Sequence, residues 1–125
     1  MIERYKDWYP EIHETCFIAP GSFISGNVLI GEKCGIWHNA VIRGDCASIS
    51  IGALSNIQDC CVLHCNEGLP LIIGEHVTVG HCAVLHSCEI GNTVIIGMNA
   101  VVLDDAKIGC NCLVGAGTVI TPPGQ

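Results

Sequence analysis

Branched aliphatic residues recur at every sixth position along most of the chain, with small and polar residues between them. The pattern starts with six isoleucines in unbroken register and resumes after three interruptions. These frame residues are Ile12, Ile18, Ile24, Ile30, Ile36, Ile42, Ile51, Ile57, Leu63, Ile73, Val79, Leu85, Ile90, Ile96, Val102, Ile108, Val114 and Ile120. A period of six differs from the 3.6-residue period of a helix, and it predicts short strands joined by tight turns.

The columns beside the frame residues support a coiled arrangement. Glycine often follows a frame residue, and a small or β-branched residue usually stands four positions after it. A large and a small inward side chain together fill a narrow prism without voids. We therefore predict an all-β parallel β-helix with three strands per coil, in which each coil buries its apolar face against its neighbours. One domain is expected over residues 1–125, with residues 1–11 as a lead-in segment.

The repeat resembles that of the hexapeptide-repeat proteins. This resemblance implies that the β-helix is left-handed, which the six-residue spacing alone does not establish. Three faces follow one another along each coil. We name face A from Ile42, face B from Ile51 and face C from Ile57, and we treat the interruptions as bulges or loops that leave the order of faces unchanged.

Charge and composition restrict the class of partner. The 125 residues carry a formal net charge of −7, which disfavours binding to nucleic acid or to an anionic membrane surface. The N-terminal stretch MIERYKDWYP lacks the apolar segment of a signal peptide, and no run of eighteen apolar residues occurs. We expect a cytoplasmic protein that binds neither nucleic acid nor membrane.

Ten cysteines would suggest a disulfide scaffold in a secreted protein. The frame favours a simpler interpretation, in which reduced thiols act as small apolar residues. The cysteines expected in the small inward column are Cys16, Cys34, Cys46, Cys61 and Cys112. Those outside the column are expected to be exposed, and they are Cys60, Cys65, Cys82, Cys88 and Cys110.

Polar side chains gather on two of the faces. Residues directly after successive face-A frame residues are Arg43, His64 and His86. Residues two positions after successive face-C frame residues are His38, Asp59 and His81. If face A of one copy packs on face C of the next, His64 and His86 meet the neighbour's His81. Three imidazoles at one interface predict a zinc site with an open fourth position, and the same contact closes a cyclic homotrimer.

Four stretches carry a second, more specific resemblance. They are WHNAVIRGD (37–45), NIQD (56–59), LH (63–64) and VGHCAVLH (79–86), and they resemble the gamma-class carbonic anhydrases. The resemblance implies a trimeric zinc enzyme that interconverts CO₂ and bicarbonate, with His64, His81 and His86 as metal ligands. Iron or cobalt could replace zinc as Fe²⁺ or Co²⁺.

The resemblance also assigns roles near the metal. Gln58 matches the glutamine that orients the metal-bound water, and Asn56 matches a polar residue close to it. Arg43 and Asp45 match the RGD motif, and Asp59 matches the aspartate that pairs with the arginine across the interface. Gln58 could instead satisfy an interface hydrogen bond, and Asp45 could be a turn former. The position of Glu67, just after His64, makes it a candidate proton shuttle.

Several features depart from the best-characterised members. A second glutamate follows their RGD motif, whereas this chain has Cys46, and their longer acidic loop is shortened here to NEGLP. We expect no counterpart of their C-terminal helix, and we expect Asp104 and Asp105 to form a solvated turn.

Two alternatives stay open: a metal-binding relative with little CO₂ activity, serving as a thioesterase or an assembly module, and a hexapeptide acyltransferase with one catalytic histidine.

Overall fold

The chain winds into a triangular prism of stacked coils, as seen in a computed structural model that describes residues 1–124. Seventeen strands, most of them two or three residues long, make up the regular structure of this part of the chain, and no helix occurs in it. Pairing between the strands of successive coils is parallel throughout. The predicted all-β parallel β-helix is confirmed.

The strands belong to the three predicted faces. Face A contains β8 (Val62–His64), β11 (Val84–His86), β14 (Val101–Val102) and β17 (Val119–Ile120). Face B contains β2 (Glu11–Ile12), β9 (Leu71–Ile73), β12 (Glu89–Ile90) and β15 (Lys107–Ile108). Face C contains β3 (Phe17–Ile18), β5 (Gly35–Ile36), β7 (Asn56–Ile57), β10 (Thr78–Val79), β13 (Ile95–Ile96) and β16 (Leu113–Val114). Two long strands, β4 (Phe23–Ile30) and β6 (Val41–Ile51), run through both face A and face B.

The register between strands confirms the assignment of faces. Ile42 pairs with Leu63, and Leu63 pairs with Leu85, so these frame residues stack on face A. Ile57 pairs with Val79 on face C in the same way. Counting frame residues across the interruptions therefore predicted the correct face and level for each of these positions.

Frame residues of all three faces, with the small inward residues between them, form one continuous core along the prism. Ile36, Ile57, Leu63 and Leu85 are completely buried. Glycine follows many frame residues because the backbones of successive coils approach closely at the corners. A methyl group added at Gly52 would lie 2.6 Å from the carbonyl carbon of Gly74, which is too close for any side chain.

All three interruptions of the repeat occur at the corner between face A and face B. In the first, β6 continues from Val41 to Ile51 without a turn, and its pairing with β4 contains a bulge. In the second, residues 65–70 form a loop between β8 and β9. In the third, the link between β11 and β12 is short. Extra or missing residues here leave the other two corners unchanged.

Four cysteines differ from expectation, and the interruptions explain three of them. Cys65 and Cys88 are buried, whereas Cys46 and Cys112 are exposed. The alternation of inward and outward residues continues one step past β8, so Cys65, two residues after Leu63, points inward. At the other two interruptions the inward position lies two residues before the next frame residue, so counting forward selects the wrong residue. The inward residue before Ile51 is Ile49 and not Cys46. Cys112, by contrast, does occupy the inward column, but it precedes β16, the last strand of face C among residues 1–124.

The buried cysteines act as small packing residues. Burial raises the pKa of Cys61 to about 11 and that of Cys88 to about 12. All ten cysteines are free thiols in the structure.

The lead-in segment is attached to the bottom of face A. Strand β1 (Ile2–Glu3) pairs with β4, and Tyr5 forms an antiparallel bridge with Trp8. Within residues 1–124, no helix has the length and apolar character needed to cross a membrane.

Candidate metal centre

His64 and His86 are stacked on face A, as the frame predicted. They are paired residues at the ends of β8 and β11, and the centroids of their rings lie 5.3 Å apart. Leu63 and Leu85 precede them and are completely buried, which anchors both strand ends. Because neighbouring side chains in a strand point to opposite sides, burial of the leucines directs both imidazoles outward.

A carboxylate on the coil below holds His64. Its Nε2 lies 2.7 Å from Oδ1 of Asp45, and Arg43 Nη1 donates to the other carboxylate oxygen of Asp45 at 2.6 Å. The side chains of His64 and Asp45 are 21% and 19% exposed, so this contact is largely shielded from water. Within one chain, Arg43 therefore pairs with Asp45. Its predicted contact with Asp59 of a neighbouring copy stays a prediction.

A carboxylate on the coil above holds His86. Its Nδ1 lies 2.6 Å from Oδ1 of Asp104, and the amide of Asn66 donates to the second oxygen of Asp104. Asp104 lies in the expected turn, where Asp105 is exposed, but the side chain of Asp104 is 26% exposed and contacts His86 and Asn66. The contact leaves Nε2 of His86 without a protein partner among the described hydrogen bonds.

Asp104 was missed although the sequence contained a signal for it. Asp104 lies two positions after the frame residue Val102, and Val102 pairs with Leu85 on the coil directly beneath. Face and level could therefore be read from the frame. Its side-chain direction could not, because Asp104 stands at the start of a turn, where the alternation of a strand no longer applies.

His81 lies at the corner between face C and face A, away from the stacked pair. Nδ1 of His81 is 3.3 Å from Asp59, and Nδ1 of His38 is 3.7 Å from the same carboxylate. Both histidines are half exposed. The predicted column of His38, Asp59 and His81 is therefore present, and each of the three predicted ligands has an aspartate beside it.

The other predicted site residues separate into two groups. Asn56, Gln58, Asp59 and His81 line one open groove of about 640 Å³ on face C, and the Asn56 amide donates to Thr78 at 3.1 Å. Glu67 is exposed in the 65–70 loop and lines a different pocket, beside Asp45. One chain therefore brings Gln58 and Asn56 to His81 but not to His64 and His86.

The three predicted ligands do not form a cluster inside one chain. Among residues 1–124, a single group of three potential ligand side chains has all its donor atoms within 4.8 Å of one another, and it is Asp45, Cys46 and His64. A site that uses His81 together with His64 and His86 needs a second copy of the chain, because His81 projects from a different face.

The bacterial transferase hexapeptide family (six repeats) matches residues 9–44 and 87–122, which is more than half of the chain. The chain belongs to this hexapeptide-repeat family. The predicted left-handed parallel β-helix is confirmed with it.

Two individual relatives carry names that are more specific than that of the family. A carbonic anhydrase from Geobacillus kaustophilus is 48% identical over 109 residues, covering 87% of this chain and 60% of that protein. A protein named as a probable carbonic anhydrase from Methanocaldococcus jannaschii is 55% identical over 73% of this chain and 57% of that protein. The chain thus spans less than two thirds of these curated relatives. The predicted resemblance to the gamma-class carbonic anhydrases is confirmed.

A solved structure agrees with the fold. The hexapeptide transferase family protein from Anaplasma phagocytophilum superposes with a TM-score of 0.94 at 36% identity. The match covers 98% of this chain and 72% of that one. The fold of this hexapeptide-repeat protein is therefore shared over nearly its whole length.

The donor set on face A of this hexapeptide-repeat protein fits a metal ion. Imidazole nitrogen suits zinc, iron and cobalt, and histidine ligands of metals usually donate their second ring N–H to a carboxylate or carbonyl. His86 already makes such a contact with Asp104, and His64 makes one with Asp45. Each aspartate therefore fixes one ring nitrogen as a donor and leaves the other free to bind a cation.

The two aspartates are held ionised by their partners. Burial raises the pKa of Asp45, but the hydrogen bond from His64 and the charge of Arg43 outweigh it and hold the pKa below its usual value. The pKa of Asp104 is lowered in the same way, since hydrogen bonds from His86 and Asn66 outweigh the effect of burial.

Replacing Asp104 with asparagine is expected to reduce acid sensitivity. A carboxylate whose pKa is lowered on folding stabilises the protein above its unfolded pKa of about 4, and this stabilisation disappears as pH falls through the folded value. At pH 7, Asp104→Asn should therefore have a lower free energy of unfolding than the native protein. On acidification below about pH 4, the free energy of unfolding of the variant should fall by less than that of the native protein. Urea unfolding of the metal-free protein at several pH values measures both effects.

Asp105→Asn is the matched control, since Asp105 is the exposed neighbour in the same turn. In the presence of zinc, Asp104→Asn is also expected to bind the metal about 10- to 100-fold less tightly, as is usual when the partner of a ligand histidine is removed. Equal pH profiles for both variants would show that the contact between Asp104 and His86 contributes nothing to stability.

Proposed function

We propose that this chain catalyses the reversible hydration of CO₂ to bicarbonate at a metal centre between the subunits of a homotrimer. His64 and His86 of one subunit and His81 of the next would hold the ion. The observation that carries the proposal is the stacked pair of His64 and His86, whose rings are each tied to an aspartate at 2.7 and 2.6 Å. Relatives named as carbonic anhydrases support the same activity.

The apolar character of two faces supports the trimer. Outward positions of face A carry a ladder of valines, including Val62 and Val119, which are 37% and 60% exposed. Outward positions of face C carry Phe17 and Trp37, which pack together with ring centroids 5.1 Å apart. Contiguous apolar surface of this kind marks an interface. Burying face A of one copy on face C of the next would remove both surfaces from water.

Zinc is the metal that this donor set suits best, with Fe²⁺ and Co²⁺ as alternatives. Three protein nitrogens are typical of a catalytic zinc site, in which the fourth position stays open. When bound in such a site, zinc supplies hydroxide at neutral pH by lowering the pKa of a coordinated water to about 7.

The chain's own residues would bind the substrate and move the proton. Gln58 is half-buried in the face-C groove that also contains His81, so its amide is placed to orient CO₂ or bicarbonate by hydrogen bonding. Asn56 is held in the same groove by Thr78. Glu67 is exposed in a pocket beside Asp45, where a carboxylate could take up the released proton and transfer it to solvent.

Two measurements on the purified protein test the proposal. Metal analysis should find about one zinc, iron or cobalt ion per chain, and stopped-flow CO₂ hydration should show activity that disappears on removal of the metal. Chelator treatment should also lower the melting temperature and the trimer content. A protein that is fully folded, trimeric and unaffected by chelator would contradict the metal centre.

The runner-up functions predict different results. A stoichiometric metal without CO₂ hydration, together with hydrolysis of thioesters, would favour a thioesterase. Activity with acetyl-CoA and an amine or alcohol acceptor, unchanged by metal removal, would favour an acyltransferase, as the names of the family and of the Anaplasma protein suggest. A metal-dependent trimer without either activity would favour an assembly module.

A further inference from the structure

Ser87 directly follows the candidate ligand His86, and it is almost completely buried, at 1% exposure. It lies at the corner between face A and face B, in the short link between β11 and β12. The backbone φ of Ser87 is +46°, in the left-handed region that favours glycine. Because a residue with a Cβ is strained in this conformation, contacts of its side chain are needed to offset the strain.

The hydroxyl of Ser87 makes two such contacts, and both are with the 65–70 loop. Oγ donates to the carbonyl of Leu69 at 2.7 Å and accepts from the backbone N–H of Asn66 at 2.8 Å. Asn66 and Leu69 are also joined directly, since the N–H of Leu69 donates to the carbonyl of Asn66 at 3.1 Å. Glu67 lies between them and is exposed. One buried hydroxyl therefore holds both ends of the turn that carries Glu67.

Further hydrogen bonds lead from this loop back to the metal ligand. The side-chain amide of Asn66 donates to Asp104, and the other carboxylate oxygen of Asp104 lies 2.6 Å from Nδ1 of His86. His86 is joined to Ser87 along the chain, so these four residues form a closed ring of contacts. The N–H of Ser87 also donates to the carbonyl of His64 at 3.1 Å, which connects the ring to the second ligand on face A.

We propose that Ser87 is a positioning residue that couples the 65–70 loop to the metal ion, so that closure of the loop and binding of the ion favour each other. The inference rests on the proposed function, because the ion is the one that His86 would hold through Nε2. If the loop left Ser87, Asn66 would leave Asp104, and the imidazole of His86 would lose part of its support. By thermodynamic linkage, an ion that fixes this imidazole stabilises the closed loop in return.

Two variants interrupt the ring at different points. Ser87→Gly removes the hydroxyl, and glycine adopts a positive φ without strain, so this variant should fold. Asn66→Ala removes the amide that reaches Asp104 and keeps the backbone N–H that Ser87 accepts. Thr93→Gly is the matched control, since Thr93 is exposed, has a φ of +56° and makes no side-chain contact among the described hydrogen bonds.

Amide hydrogen exchange of the full chain, with and without Zn²⁺, measures the coupling. The reporter is the N–H of Leu69, whose bond to the carbonyl of Asn66 needs neither deleted side chain. In the native protein and Thr93→Gly, saturating Zn²⁺ should slow this exchange by about 2- to 10-fold, the range expected for one net hydrogen bond. Ser87→Gly and Asn66→Ala should lose the slowing, and chelator competition should show weaker Zn²⁺ binding by a similar factor. A purely structural role would speed the exchange equally with and without Zn²⁺.

The outcomes separate this inference from the proposed function. Zn²⁺ binding with the same slowing at Leu69 in the native protein and both ring variants would overturn the inference and leave the metal centre intact. Loss of the slowing in Asn66→Ala alone would overturn the role of Ser87. Coupled binding and slowing without CO₂ hydration would support the inference and overturn only the proposed activity. No Zn²⁺ binding by the native protein would overturn both.

Discussion

The His81→Ala variant is expected to lose the metal and weaken the trimer together. His81 lies on a different corner from the stacked pair of His64 and His86, so in the proposed centre it is the ligand contributed by the neighbouring subunit. Four-ligand zinc sites bind with roughly 10–16 kcal/mol, which corresponds to about 100- to 1,000-fold in affinity for each ligand. Chelator competition measures the affinity, and sedimentation velocity measures the fraction of trimer.

His38→Ala is the matched control for this variant. His38 occupies the same column two coils below, is equally exposed, and contacts the same aspartate, which lies on the coil between them. It should retain both zinc and the trimer. Loss of metal by His81→Ala with an unchanged trimer would contradict a metal centre that stabilises assembly, and equal effects of the two variants would contradict the specific role of His81.

The largest effect on stability is expected from Leu85→Ala. Leu85 is completely buried between Leu63 below and Val102 above, and it directly precedes His86. Removing a buried leucine side chain costs about 2–5 kcal/mol, because the surrounding residues only partly fill the cavity. The free energy of unfolding in urea measures the loss.

Leu113→Ala provides the comparison, since it deletes the same atoms from a side chain that is 72% exposed. We expect a change within about 0.5 kcal/mol for this surface position. If both leucine variants were equally destabilised, the assignment of the frame residues to a single central core would be incorrect.

The frame predicted the fold and the level of each histidine because its period comes from the geometry of the coil. Hydrophobic residues at six-residue intervals fix which side chains point inward, and the pairing of Leu63 with Leu85 follows directly. Glycines at corners add a second, independent column. The stacking of His86 over His64, which are 22 positions apart in the sequence, could therefore be predicted from the sequence.

The interruptions and the side-chain directions could not be predicted in the same way. A break in the six-residue period shows that the coil length changes, but it does not show which residues around the break point inward. Cys65 and Cys88 were therefore expected to be exposed, and they are buried. Asp104 stands in a turn, where side chains follow no alternation, and Asp45 lies in β6 at an interruption of the repeat, so their contacts with the histidines required coordinates. Contacts between subunits depend on a second chain, and their prediction from the column of Asp59 and His81 stays a prediction.

The corner between faces A and B is the place where this chain can gain or lose residues without disturbing the rest of the fold. Since each variation in coil length is confined to that corner, residues can be gained or lost there without shifting the register of the other two sides. The 65–70 loop is such a place, and its neighbours are Cys46 and His64. New catalytic loops could arise, or be grafted, at this one edge while the rest of the scaffold keeps its geometry.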